Sequence, residues 1–299
     1  FYMITGMIKP LSGQIKLDSM EITKMPMYKR ALNKIGYLAQ ESSVFTKLSV
    51  ENNIMRITLN RPEKKNAINP VMANEIIYSL AFAAQERDIR VVVIKANGDV
   101  FCAGGDLGTM SGKSSESTSN VPSLGGGTEE ISLRIRSLNK PVICEIQGPV
   151  LAGALLMVTN STHAIAVEEA TFSAPEIKRG IWPFMVMAGL FRVMPKRQGL
   201  DFIMRGNKIS SHDAERFGLV NKVVHKEKLS EEVNKIASEL SKLAPGTMKL
   251  GLEAYNHQDK MDFDEAVPFL KEQLEKCLKS DDAKEGITAF LEKRDPDWK

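Results

Sequence analysis

A run of consecutive apolar residues at positions 91–94 and a mostly apolar strand pattern at 141–146, interrupted by Glu145, place the strongest constraint on the fold of this chain. Such runs are typical of strands buried on both faces, as in a parallel sheet that is covered by helices. Residues 54–59 alternate like a strand, and residues 164–167 form a further strand pattern. Helical patterns alternate with these strands, so the sequence predicts an α/β domain.

The helical patterns carry start and stop signals. Asn69 followed by Pro70 predicts a capped helix start. Four apolar residues at helical spacing then mark one face of that helix: Met72, Ile76, Leu80 and Ala83. Residues 111–128 are rich in Ser and Gly and predict a loop inside the domain. Beyond Ser210 the chain is mostly helical, with amphipathic runs at 229–243, 262–279 and 281–293.

Composition limits the possible partners. The chain has 299 residues, 43% of them hydrophobic, which is enough for one or two domains with a substantial core. Its net charge is only +3, and the first 50 residues hold seven Lys and Arg against three Asp and Glu. The remainder is therefore nearly neutral and lacks the basic footprint of a nucleic-acid-binding protein, so we expect no nucleic-acid partner.

The three cysteines are far apart, which predicts neither a disulfide framework nor a metal site. No apolar run approaches the ~20 residues that cross a bilayer, so no membrane association is expected. No basic segment precedes an apolar stretch and a cleavage site, and a cytoplasmic location is the simplest expectation.

Three short segments carry potential chemistry. Residues 101–107 and 148–153 contain small residues at two turns, where backbone N–H groups can be directed at one oxygen. Residues 175–177 add a carboxylate, Glu176. Two N–H donors and one carboxylate can stabilise an enolate and move a proton beside it. The alternative is that the glycines serve only tight turns and that Glu176 is an ordinary surface residue.

Several spaced motifs occur in one order between residue 54 and Lys299. They are Ile57-Thr58-Leu59-Asn60-Arg61-Pro62 with Lys65-Asn66-Ala67, then 101–107, 141–153, 170–180, 209–224 and 285–294. Together they make this part of the chain resemble the enoyl-CoA hydratase/isomerase (crotonase) family. The resemblance implies an α/β fold, a crotonase-like spiral of ββα turns with a C-terminal helical trimerisation part. It implies a core at 54–242 and a helical part at 243–299.

The resemblance also implies the function and the catalytic residues. The family's substrates are coenzyme A thioesters, so coenzyme A enters with the substrate and no other cofactor is expected. The backbone N–H groups of Gly105 and Gly153 would form an oxyanion hole, and Glu176 would be the acid/base. A homotrimer or a dimer of trimers is expected.

Eight further residues are candidates for substrate binding: Lys64, Lys65, Ala67, Ala103, Asp106, Leu107, Leu156 and Trp182. Lys64 and Lys65 stand in the loop that meets the nucleotide end of coenzyme A in the family. Ala67 and Ala103 match positions near the adenine and the pantetheine. Trp182 lies in a bulky stretch, 181–188, that would line an acyl pocket or simply pack in the core.

One position departs from the hydratase pattern. Hydratases of this family carry a second glutamate three residues after the oxyanion glycine, and here that position is Leu156. Leucine cannot activate water, so the sequence favours an isomerase-type 1,3-proton shift through a dienolate, with Glu176 as the only carboxylate. True hydration, thioester hydrolysis and non-catalytic acyl-CoA binding stay open as alternatives.

Residues 1–53 have a different character: their patterns predict the end of a helix at 1–8, short strands at 14–17 and 35–38, and a short basic helix at 27–32. Segments 8–15, 21–27 and 35–41 resemble an ABC transporter ATPase of the lipopolysaccharide-export type, with Gln40 at the Q-loop position. No G-x-x-x-x-G-K-[ST] phosphate loop is present, so nucleotide binding is not expected. We interpret residues 1–53 as a vestigial or artefactual appendage that packs weakly on the rest of the chain.

Overall fold

The main sheet is built as the apolar runs predict. A computed structural model describes residues 10, 12–17, 20–25, 30, 48–112, 119 and 121–298. In that part of the chain six strands form one sheet in the order β11-β8-β6-β5-β4-β3. Their bounds are β3 Leu48–Glu51, β4 Ile54–Leu59, β5 Val91–Ala96, β6 Val142–Ile146, β8 His163–Val167 and β11 Lys222–Val224. All neighbours run parallel except β3, which is antiparallel to β4.

The central strands form the core because nearly all of their side chains are apolar, with Lys95 in β5 and the buried Glu145 in β6 as the exceptions. Every residue of β6 is buried, and only Lys95 interrupts the buried run of β5. Helix α1 (Pro70–Gln85) is capped by the Asn69 side chain, which accepts a hydrogen bond from the Met72 N–H. The four residues of its predicted apolar face are all buried. The α/β prediction is therefore confirmed at the strands and helix that carried it.

A smaller sheet lies beside the main one and positions the candidate site. It has the order β10-β9-β7, with β7 at Val150–Leu151, β9 at Thr171–Ser173 and β10 at Ile209–Ser210. Strands β7 and β9 are parallel, and Val150 also forms a parallel bridge with Cys102. Between β5 and residue 195, the α-helices of the described part of the chain are α2 (Leu107–Met110), α3 (Glu129–Ser137), α4 (Leu155–Val158) and α5 (Phe184–Val193).

The C-terminal third is mostly helical, as predicted. Its helices are α6 (Lys196–Arg205), α7 (Ser211–Arg216), α8 (Leu229–Ser241), α9 (Pro245–Gln258), α10 (Phe263–Leu278) and α11 (Asp281–Glu292). Val233 and Ala237 of α8 are fully buried against the core. At the end of α9, Asp259 accepts hydrogen bonds from Arg136 and Arg192 at 3.1 and 2.8 Å, which ties this helix to α3 and α5. No helix in the described ranges is long and apolar enough to cross a membrane.

The N-terminal segment is described only in part. Strands β1 (Lys16–Leu17) and β2 (Met20–Glu21) form a short antiparallel hairpin, where the sequence predicts a strand at 14–17. The predicted strand at 35–38 and helix end at 1–8 lie outside the described residues, as does all but Arg30 of the helix predicted at 27–32. The division of the chain at residue 53 stays a prediction, although β3 lies before that point and is hydrogen-bonded to β4.

Candidate active site

Three predicted site residues follow three adjacent parallel segments. Cys102, Val150 and Phe172 are in register across the smaller sheet, through the Cys102 bridge and the pairing of β7 with β9. Gly105 and Gly153 each come three residues after their registered residue, and Glu176 comes four residues after Phe172. Because parallel segments end at the same edge of a sheet, the fold carries all three residues to one edge.

The turn at Gly104 brings the two candidate donors together. Gly104 has a φ of +84°, and a Cβ there would lie 2.8 Å from the Leu151 carbonyl oxygen and 2.9 Å from the Gly153 nitrogen. Only glycine fits such a left-handed and crowded position. A Cβ placed on Gly153 would lie 3.6 Å from the Gly105 nitrogen, so the backbones at Gly105 and Gly153 are immediate neighbours.

Both donors are free within the described part of the chain. The bridge to Ile68 uses the Gly104 carbonyl and the Asp106 N–H, which leaves the Gly105 N–H outside the ladder. The Gly153 N–H belongs to the first turn of a 3-10 helix (Ala152–Ala154), where N–H groups lack an intrahelical acceptor. Among the described residues, neither N–H donates to a backbone or side-chain acceptor. Ala152 has a φ of +53°, which is strained for a residue with a Cβ.

Glu176 occupies a half-buried position in a 3-10 helix (Pro175–Arg179) that follows β9 directly. Its Oε2 atom is buried and has no hydrogen-bond partner among the described residues. Burial raises the pKa of this carboxyl above its ordinary value, because the charged form loses hydration. A carboxyl group with a raised pKa and one unpartnered oxygen has the properties of a general acid or base.

The predicted coenzyme-binding loop lies against the glycine turn. Lys64 and Lys65 are exposed, and Lys65 has a φ of +54°. The Ala103 N–H donates to the Lys65 carbonyl at 3.0 Å, and the Ile68 N–H donates to the Gly104 carbonyl at 2.7 Å. Lys65 and Ala103, predicted to bind substrate, are therefore joined directly by a backbone hydrogen bond.

The loop is held by a residue that the sequence analysis did not single out. Asn66 is fully buried, although its φ is +53°. Its Oδ1 accepts the Arg61 N–H, and its Nδ2 donates to the carbonyls of Asn97 and Val100 at 2.9 and 2.8 Å. The sequence signal for this role was an Asn within a loop. Asn tolerates the left-handed backbone conformation, and its side chain hydrogen-bonds to nearby backbone groups.

The remaining predicted binding residues differ in character. Leu156 is buried in α4, whereas Leu107 is 53% exposed beside the glycine turn. Trp182 is partly buried, and its indole N–H donates to the Met187 sulfur at 2.9 Å. Asp106 has its carboxylate engaged by protein donors rather than open to a ligand.

Cys102 lies beside the turn but is not poised as a nucleophile. Burial raises the pKa of its thiol to about 12, so the thiol stays protonated at neutral pH. The Sγ donates to the Asn66 carbonyl at 3.0 Å and accepts the Gly104 N–H at 3.4 Å. Across the described residues, no group of three or more His, Cys, Asp or Glu side chains is arranged to hold a metal ion.

Comparison with known proteins gives this arrangement a family. The profile of the enoyl-CoA hydratase/isomerase family matches residues 49–299. The mevalonyl-coenzyme A hydratase of Aspergillus fumigatus is 32% identical over 255 residues, which cover 82% of this chain and 91% of that protein. The mitochondrial enoyl-CoA hydratase domain-containing protein 3 of Rattus norvegicus is 27% identical and covers 83% of this chain and 82% of its own length.

A solved structure shows the same fold. The crystal structure of an enoyl-CoA hydratase from Mycobacterium smegmatis superposes with a TM-score of 0.78 and 26% identity, covering 86% of this chain and 99% of that one. The chain therefore belongs to the enoyl-CoA hydratase/isomerase family and has the crotonase-like α/β fold with C-terminal helices. The comparisons do not support the resemblance of residues 1–53 to an ABC transporter ATPase, and the family match begins at residue 49.

Proposed function

We propose that this protein transfers a proton next to the thioester of an acyl-CoA. The observation that carries the proposal is that two neighbouring free N–H groups, on Gly105 and Gly153, lie at the same sheet edge as Glu176, whose buried Oε2 atom is unpartnered among the described residues. The two N–H groups would hold the thioester oxygen, and one such donor is worth ~3 kcal/mol in a transition state. The carboxyl would accept and return the proton.

The favoured reaction is isomerisation of a 3-enoyl-CoA to a 2-enoyl-CoA. Glu176 removes a proton from the carbon next to the thioester, and the electrons delocalise into a dienolate whose oxygen is held by the two N–H groups. The same carboxyl, now protonated, returns the proton to the far end of the conjugated system. No water and no redox partner enters this balance, so we propose that no cofactor beyond the substrate's own coenzyme A is required.

Hydration is the second candidate, and the names of the relatives favour it. Mevalonyl-coenzyme A hydratase and enoyl-CoA hydratase are among the proteins this chain is similar to. Against hydration stands Leu156, which is buried and has no oxygen with which to orient water. Thioester hydrolysis and non-catalytic acyl-CoA binding are the remaining outcomes that an assay has to separate.

The surroundings suit a thioester with a charged handle and an apolar acyl chain. Lys64 and Lys65 are exposed on the loop that is hydrogen-bonded to the glycine turn, where they would meet phosphates. Met110 is 70% exposed, and its sulfur lies 3.4 Å from the position of a Cβ on Gly105. Ile181, whose N–H donates to the Glu176 carbonyl, is also exposed. These side chains would contact the acyl chain.

The proposal is tested by offering both enoyl isomers to the purified protein. Conversion of 3-enoyl-CoA is followed by the ultraviolet absorbance of the conjugated product, and loss of that absorbance reports hydration of 2-enoyl-CoA. We expect the first reaction and little of the second, and Glu176→Gln should abolish both, because an amide cannot accept the proton. Glu231→Gln is the matched control, since Glu231 is an exposed glutamate paired with Lys228. Absence of both reactions, or retention of activity in Glu176→Gln, would contradict the proposal.

Leu156→Glu tests the missing carboxylate directly. The substitution restores the second glutamate of the hydratase pattern, so hydration should rise if Leu156 is what suppresses it. Burying a second carboxyl near Glu176 raises the pKa of both groups, so the gain should be larger at higher pH. Efficient hydration by the unaltered protein would show that another group orients water.

A further inference from the structure

Asp106 follows the candidate donor Gly105 directly, and its carboxylate is fully occupied by protein donors. One oxygen accepts Arg61 Nη1 at 2.5 Å, and the other accepts the N–H groups of Gly108 and Thr109 at 2.9 and 3.3 Å. The Arg61 guanidinium holds the pKa of this carboxyl below its ordinary value, so the pair is ionised at neutral pH. The two side chains are 13% and 17% exposed, so solvent screens this pair less than an exposed one.

Arg61 is the first residue of the lysine loop, which comprises residues 61–67. The same Nη1 donates to the Ala67 carbonyl at 2.9 Å, and the Arg61 N–H is bound by the Asn66 side chain at 2.8 Å. Arg61 therefore closes the loop on itself as well as joining it to Asp106. One guanidinium group binds both Ala67 and Asp106. A shift of the loop therefore also moves the group that binds the Asp106 carboxylate.

The backbone between these side chains leaves little freedom for Gly105. On one side the Gly104 carbonyl accepts the Ile68 N–H at 2.7 Å, and on the other the Asp106 N–H donates to the Ile68 carbonyl at 2.9 Å. Both peptide units that flank Gly105 are thus bonded to the residue that follows the lysine loop. The direction of the Gly105 N–H depends on where the loop holds Asp106.

We propose that Arg61 and Asp106 are positioning residues that couple the lysine loop to the Gly105 N–H. The substrate does not touch the Asp106 carboxylate. Instead, a nucleotide bound at the loop holds Arg61, and Arg61 holds Asp106 and the turn in the geometry that receives an oxyanion. This inference rests on the proposed function, because it assigns the loop to the nucleotide end of a thioester and Gly105 to its oxygen.

Asp106→Asn distinguishes the coupling of the lysine loop to Gly105 from a purely local role of Asp106 in capping the helix. Asparagine caps helices about as well as aspartate, so the bonds to Gly108 and Thr109 are retained while the second oxygen becomes an N–H₂ group facing the guanidinium. Arg61→Lys keeps the charge but replaces the planar guanidinium, whose Nη1 atom donates to both Asp106 and Ala67, with a compact ammonium group. Asp201→Asn is the matched control, since it removes an aspartate that pairs with Arg205 on the exposed face of α6.

The kinetic test compares a 3-enoyl-CoA with the pantetheine thioester of the same acyl group, which lacks the nucleotide. We expect Asp106→Asn to lower kcat for the CoA ester about tenfold with KM changed less than about twofold, because a misdirected donor affects the transition state most. The pantetheine ester should lose much less, and Arg61→Lys, which keeps the charge, should lower kcat for the CoA ester less than Asp106→Asn does. An unchanged kcat, a change in KM alone, or an equal loss on both esters would overturn the coupling.

A second measurement does not depend on turnover. Hydrogen exchange of the backbone amides is compared with and without coenzyme A alone, in the unaltered protein and in Asp106→Asn. Coenzyme A should slow exchange in residues 103–110 of the unaltered protein and not in those of the variant. If no thioester reacts but this difference is seen, the proposed reaction fails and the coupling stands. If coenzyme A slows exchange equally in both proteins, Arg61 and Asp106 do not couple the lysine loop to the glycine turn.

Discussion

At the scale of single residues, the burial of the Glu176 carboxyl sets the acid–base properties of the candidate site. Its carboxyl has a buried oxygen without a partner in the described part of the chain, and its pKa lies above the ordinary glutamate value of 4.5. Burial therefore shifts the protonation equilibrium of this carboxyl toward the uncharged form. A group that must be deprotonated to act as a base will limit the reaction at acid pH.

The pH dependence follows from that shift. We expect kcat/KM for a 3-enoyl-CoA to rise with pH through a midpoint above 4.5. The free energy of unfolding should instead fall as pH rises. As pH rises from 4.5 through the raised pKa, the unfolded chain releases this proton before the folded one does, so unfolding becomes easier. In Glu176→Gln this fall in melting temperature should be smaller, and an identical pH profile in both proteins would contradict the assignment.

Gly104 offers a prediction about the turn itself. Gly104→Ala adds a methyl group in a left-handed conformation and within 2.9 Å of three backbone or side-chain atoms. Gly112 also has a positive φ, of +68°, but nothing lies within 4 Å of a Cβ there. We expect Gly104→Ala to lower the free energy of unfolding by about 1–3 kcal/mol more than Gly112→Ala does. Equal losses in chemical denaturation would show that the turn relaxes without cost.

At the scale of elements, β3 is the first strand along the chain that belongs to the main sheet. Leu48–Glu51 pairs antiparallel with β4 along all four residues and so covers the edge of the main sheet. An uncovered edge strand exposes unpaired N–H and C=O groups and invites association. The vestigial character predicted for residues 1–53 therefore has to be tested on either side of this strand.

Two deletions make that test. Removing residues 1–47 keeps β3, so we expect the melting temperature and the activity to change little. Removing residues 1–53 uncovers β4, and we expect a lower melting temperature and aggregation on heating. Thermal unfolding with light scattering measures both. Unfolding of the shorter deletion would show that the N-terminal segment is required for folding, contrary to its predicted role as an appendage.

At the scale of the whole molecule, the C-terminal helices present apolar side chains to solvent. The largest on α10 and α11 are Phe263, Phe290 and Leu291, exposed by 80%, 81% and 74%. Several large apolar side chains exposed on two C-terminal helices are consistent with an association surface. Together with the family resemblance, it supports our proposal that the chain forms a homotrimer or a dimer of trimers.

The oligomer is measured by light scattering after size exclusion. We expect a mass of three or six chains, and we expect Phe263→Asp with Phe290→Asp to reduce it, because a buried aspartate cannot be solvated at an apolar interface. Lys279→Asp is the control, since it introduces the same side chain at an exposed position just after α10. A single-chain mass for the unaltered protein would refute the proposed assembly.

The sequence determined the local structure and the family. The apolar patterns at 91–94 and 141–146 predicted β5 and β6, and Asn69 with Pro70 predicted the start of α1, because burial and capping depend on residue type and short-range spacing. The spaced motifs at 57–67, 101–107, 141–153, 170–180, 209–224 and 285–294 were together enough to name the family that the comparisons confirm. The ATPase resemblance of residues 1–53, a short likeness without a phosphate loop, is not supported by the comparisons.

Only the tertiary structure decided how the candidate residues are used. The sequence predicts a substrate contact for Asp106, yet its carboxylate is bound to Arg61, 45 residues earlier in the chain. The free state of the Gly105 and Gly153 N–H groups and the buried oxygen of Glu176 likewise depend on parallel segments that meet only in the fold. Hydrogen bonding and burial are set by distances in space, and residue spacing along a chain does not fix those distances.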